Sequence, residues 1–164
     1  MTWLGQQDDI VFMGQTVIVG GSFMGDTLKG VPDSKKYEWP VCENLQLGAS
    51  LGFSLASGMC VVSIFPRMDF LLLAADQLIN HIDKIGWMSE GRMQPRIIIR
   101  TSVGPKKPLD AGPQHTGRYT EAMRLMLTTV QVVELQESDI IIDAYQGAYK
   151  KDGVWLFVEE GSRY

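Results

Sequence analysis

Along this chain, short runs of β-branched and apolar residues alternate with stretches whose apolar positions recur every three to four residues. Residues 10–19 (IVFMGQTVIV) predict a strand that gives way to a turn at Gly20-Gly21. A shorter extended piece is expected over 37–43, because Pro40 disfavours helix for the residue before it. Residues 44–58 predict a buried helix. Its Gly48 and Gly52 stand one turn apart, which lets another backbone approach while weakening the helix. A strand over 59–65 and a long amphipathic helix over 70–87 follow. Residues 96–100 read RIIIR, apolar on both faces, as in a central parallel strand. Residues 102–116 form a Gly/Pro-rich loop of a length usually kept for function. A helix over 118–128, a strand over 130–135, a helix over 139–150 and a strand over 154–159 complete the series.

This alternation predicts an α/β fold, a three-layer sandwich with a mainly parallel sheet covered on both faces. The 164 residues suit a single domain, 1–164, with a core that buries roughly two-thirds of the unfolded surface. Ligands in such folds gather at the carboxyl ends of the strands. Glu43 and the loop holding His115 both follow predicted strands.

Composition narrows the function classes. The net charge is −4 and basic residues never cluster beyond two in a row, which argues against nucleic acid or a membrane surface as partner. No apolar run approaches the ~20 residues of a membrane span, and no export signal opens the chain, so a cytoplasmic protein is expected. Cys42 and Cys60 lack CxxC spacing and read as reduced, partly buried thiols. His81 and His115 lie far apart with no Cys partner, so this chain offers no metal site by sequence.

Three segments carry candidate chemistry. Pro40-Val41-Cys42-Glu43 ends in a carboxylate and opens the Gly-spaced helix. By itself it is equally a Glu in the first turn of a helix. The second segment runs Pro66-Arg67-Met68-Asp69-Phe70-Leu71-Leu72-Leu73-Ala74-Ala75-Asp76-Gln77-Leu78-Ile79-Asn80, and the third is Gly112-Pro113-Gln114-His115-Thr116. In that order and spacing they resemble the pyrimidine-binding domain of thiamine diphosphate enzymes, of the transketolase-like kind found in beta subunits of 2-oxoacid dehydrogenase first components. The resemblance covers roughly residues 9–159.

The resemblance implies that Glu43 shares a proton with the pyrimidine nitrogen N1′, so that the 4′-amino group can deprotonate the thiazolium carbon. The cofactor then does the carbanion chemistry. Burial would push such a carboxyl up in pKa and the helix N-terminus would pull it down. It further implies that Val41 and Phe70 line the cofactor's pyrimidine, with Phe70 stacking on the ring. His115 would handle protons of substrate or intermediate. Asp76, Gln77 and Asn80 read as helix-packing or interface hydrogen bonds, and His81 as surface.

The chain also departs from the family. The acidic residue of the usual Gly-Glu-Asp-Val is replaced in Gly14-Gln15-Thr16-Val17. The C-terminal transketolase domain is missing, as is the Gly-Asp-Gly…Asn element that ligates Mg²⁺ at the diphosphate. The resemblance therefore implies half of a split thiamine diphosphate site, with diphosphate and Mg²⁺ held by a separate subunit and this chain a homodimer within a heterotetramer. The expected substrate is a 2-oxoacid or ketose, cleaved next to its carbonyl with decarboxylation or two-carbon transfer. A non-catalytic paralogue that binds or regulates such a partner is the alternative.

Overall fold

Successive residues of a strand point to opposite faces, and here both faces are apolar. Cys60, Val62, Ile64 and Ile98 face one cluster, with Phe12 and Phe157; Ile97, Ile99, Leu156 and Val158 face another. The computed structural model describes residues 1–19, 22–104 and 110–163. The expected Gly20-Gly21 turn and residues 105–109 of the expected long loop lie outside the described residues.

The strands are β1 (Ile10–Gly14), β2 (Lys36–Glu38), β3 (Cys60–Phe65), β4 (Ile97–Val103), β5 (Gln131–Leu135) and β6 (Val154–Glu160). They form one sheet in the order β2-β1-β3-β4-β6-β5, every pairing parallel. The helical segments are α1 (Thr2–Gly5), α2 (Phe23–Asp26), α3 (Glu43–Ser57), α4 (Met68–Leu71), α5 (Ile85–Met88), α6 (Thr120–Met126) and α7 (Ser138–Lys151). α1, α2 and α7 cover the first face through Leu4, Met24 and Tyr145. α3, α4 and α6 cover the second through Leu47, Leu71 and Met123. The fold is the expected three-layer α/β sandwich, with its sheet wholly parallel.

Three elements differ from the pattern-based expectation. β1 stops at Gly14 instead of running to residue 19. A Cβ on Gly14 would lie 2.3 Å from the Ile64 carbonyl oxygen, and Thr16 turns into the left-handed region at φ 60°. Val17 is buried all the same, by the turn and not by a ladder. The extended piece expected over 37–43 is only β2, and Glu43 already belongs to α3, where a carboxylate suits the helix N-terminus.

The single helix expected over 70–87 is broken into α4, a 3-10 turn (Leu72–Ala74), a π-helical segment (Gln77–Ile82) and α5. Its buried stripe Met68, Leu71, Ala74, Leu78 and Ile82 keeps helical spacing, so periodicity alone cannot reveal the breaks. In the π segment Asp83 N donates to Leu78 O (2.9 Å), and the widened turn carries the Asp83 carboxylate to the α6–β5 connection. Gly48 meets the Gln77 side chain, 3.2 Å from where a Cβ would sit, and not a second backbone. No described helix is long and apolar enough to cross a membrane.

Candidate active site

The chain leaves β1 for β2 on one side and returns to β3 on the other. The connections after β1 and β3 therefore diverge, opening a crevice at their carboxyl ends where such sheets bind ligands. The expected site residues converge on that edge: Glu43 at the start of α3, Phe70 in α4 after β3, and His115 after β4.

Glu43 is 5% exposed. Gln15 Nε2 donates to its Oε1 at 3.1 Å, while Oε2 accepts no hydrogen bond among the described residues. A polar seam fixes the first turns of α3 over β3. Gln46 Nε2 donates to the Ile64 carbonyl (2.9 Å) and to Ser63 Oγ (3.2 Å), and Ser50 Oγ donates to Ser63 Oγ (3.0 Å). Gln46 Oε1 is buried without a partner among the described residues. Just before the helix, Val41 is 80% exposed and Cys42 is also exposed, so neither is covered by this chain. Cys60 is buried, and that burial pushes its thiol up to about 12. The expectation of two partly buried thiols thus splits into one open and one sealed.

Gln15 is presented by the sharp end of β1. Beyond it the amides of Thr16, Ile18 and Val19 all donate to the Glu38 carboxylate, at 2.7, 2.8 and 3.3 Å. Three convergent N–H groups make an anion nest, here filled by the protein's own side chain. Sequence reasoning counted Gln15 only as a lost acid; in the structure its amide touches the Glu43 carboxylate.

The second pair lies after β3 and β4. The Phe70 and His115 rings meet edge to face, centroids 5.5 Å apart at 81°. The segment before Phe70 grips the backbone that carries His115. Arg67 Nη1 donates to the His115 carbonyl (2.8 Å), and Asp69 Oδ1 accepts from Gly117 N (3.2 Å). His115 Nδ1 lies 3.1 Å from the Ala111 carbonyl, and Ser102 Oγ donates to the Pro66 carbonyl (2.8 Å). Among the described residues no hydrogen bond joins Glu43 to His115. Arg67 and Asp69 stood inside the Pro66–Asn80 run without being singled out.

Asp76, Gln77 and Asn80 are joined to near neighbours. Asn80 Nδ2 donates to Asp76 Oδ1 (2.9 Å), and Gln77 Nε2 donates weakly to Asn44 Oδ1 (3.4 Å). His81 is exposed beside Asp76.

No family model matches the sequence, and no curated protein does. Among solved structures the chain is similar to a Mycobacterium smegmatis protein provisionally described as a thiamin diphosphate-dependent enzyme. The TM-score is 0.66 at 14% identity, over 95% of this chain and 28% of that one. That likeness shows the fold. The chain spans little more than a quarter of the protein it resembles.

Proposed function

We propose that this domain holds the aminopyrimidine half of thiamine diphosphate in a split active site. The observation that carries the proposal is Glu43. It is a nearly buried carboxyl at the switch point of the sheet, with one oxygen held and the other unclaimed. The unclaimed oxygen is not one of the buried unpartnered atoms, so it is open to a ligand, and an aminopyrimidine nitrogen is a suitable partner for it. When bound, thiamine diphosphate supplies the carbanion chemistry that cleaves a bond next to a carbonyl.

In this reading Glu43 holds the proton at the pyrimidine N1′. Phe70 packs on the ring and Val41 closes over it. His115, steadied edge to face by Phe70, gives or takes protons on the substrate side. The substrate class is a 2-oxoacid or ketose, with decarboxylation or two-carbon transfer. The reading further assigns diphosphate and Mg²⁺ to a separate subunit, in a heterotetramer built on a homodimer of this chain. One observation favours the second reading, a non-catalytic paralogue that binds or regulates such a partner. The group touching Glu43 is an amide, which cannot relay a proton as a carboxyl can.

The test is to titrate thiamine diphosphate with Mg²⁺ into the chain, alone and mixed with candidate diphosphate-binding proteins, and to assay 2-oxoacid and ketose turnover. Binding in one mixture is expected, with turnover falling at least about 100-fold in Glu43→Gln. Full turnover in that variant, or no binding in any mixture, would overturn the assignment.

A further inference from the structure

We infer that Gln15 is a positioning residue: its amide fixes the Glu43 carboxyl so that Oε2 faces the crevice and meets the ligand. This rests on the role proposed for Glu43. Gln15 Nε2 donates to Oε1 across 28 residues of sequence, and no other hydrogen bond reaches either oxygen among the described residues. A Glu side chain has three rotatable bonds, and one charge-assisted hydrogen bond is enough to select among its rotamers. The amide has the correct polarity for the task. It donates without needing a proton of its own to be retained, whereas an ionised carboxylate in the same place would repel the ionised Glu43.

Gln15 is itself held. Gly14 packs without a side chain against Ile64, and the three amides that follow Gln15 close on Glu38, so the backbone is pinned on both sides of it. An amide at this position aims its neighbour but cannot share a proton with it as a carboxyl would.

The experiment is an NMR titration of the chain with 4-amino-5-hydroxymethyl-2-methylpyrimidine, the pyrimidine half of thiamine, in a double-mutant cycle. The variants are Gln15→Leu, Glu43→Gln and the pair. Gln15→Asn keeps the amide but withdraws it by one methylene, and it carries the test if the Leu variant fails to fold. We expect Gln15→Leu or Gln15→Asn to weaken binding about tenfold when Glu43 is present and to change nothing further in the Glu43→Gln background. A merely structural Gln15 would weaken both backgrounds alike, and that result overturns the inference. Unchanged binding in the Gln15 variants, with Glu43→Gln impaired, also overturns it while leaving the Glu43 assignment standing. Wild-type protein that binds the pyrimidine no better than Glu43→Gln does, both alone and in every mixture with a candidate diphosphate-binding protein, overturns both.

Discussion

Arg100 of β4 and Glu159 of β6 form a two-pronged ion pair inside the sheet sandwich, Nε to Oε1 and Nη2 to Oε2 both at 2.8 Å, with both side chains almost sealed from water. The Tyr145 hydroxyl of α7 donates to Glu159 Oε1, and Arg100 Nη1 donates to Thr27 Oγ1 at 2.8 Å, just past α2. One charged knot therefore ties two strands to two helical elements. Burial pushes the Tyr145 hydroxyl well above its usual value, so it remains a donor.

A buried pair is costly to break singly and cheap to replace whole. Glu159→Leu is expected to lower stability by about 3–5 kcal/mol in urea denaturation. The double variant Arg100→Met with Glu159→Leu is expected to recover most of that loss. A double variant no better than the single would show that the pair gives net stability, against this argument.

Asp83 contributes to the acid limb, as do Asp9 and Glu134, which are also held below their ordinary values. The Asp83 carboxylate accepts the amides of Thr128 (2.9 Å), Thr129 (2.7 Å) and Val130 (3.1 Å), and the hydroxyls of both threonines. Burial pushes this carboxyl up, but the bonds from Thr129, Thr128 and Val130 together outweigh it and hold it below its ordinary value. The native state thus binds this proton less readily than the unfolded chain. The contribution is complete above the unfolded value of about 3.9 and is lost as pH falls through the lower folded one. Asp83→Asn is expected to cost about 1–3 kcal/mol at pH 7 and progressively less below pH 4. Thermal melts of both proteins from pH 7 to pH 2 check this; parallel curves would refute it.

Glu38 holds the turn that presents Gln15. In Glu38→Gln the amides of Thr16, Ile18 and Val19 are expected to exchange hydrogen about tenfold faster or more, while β3 and β4 amides are unchanged. Unaltered exchange at those three positions would mean that Gly14 and the buried Val17 suffice to set the turn.

The layer architecture was legible because the apolar period changes from two to nearly four along the chain, and because RIIIR admits few places other than a central strand. What that run also contained was a charge. Arg100 lies inside a strand buried on both faces, and such a residue demands a counter-ion, but its partner Glu159 lies 59 residues on and no local pattern points to it. The end of β1 was hidden for a different reason. Val17, Ile18 and Val19 continue the apolar run, while the cause of the turn, contact between Gly14 and Ile64, is tertiary. The breaks between residues 68 and 88 preserve the buried stripe, so they leave no trace in hydrophobicity. Glu43, Phe70 and His115 were singled out through a family resemblance. The sheet brings them to one edge in two pairs, and the partners Gln15 and Arg67 became visible only with the fold.

The strand order has a consequence for how the domain is made. β6 lies between β4 and β5, and among the described residues β5 has no other strand beside it. During synthesis every earlier strand emerges while the seat next to β4 is still empty, and β5 has nothing to pair with. Completion of the sheet, and arrival of the carboxylate that closes the Arg100 knot, both wait for residues 154–160. The domain should therefore commit to its native state late, and in one cooperative step, when this final strand slides into the gap.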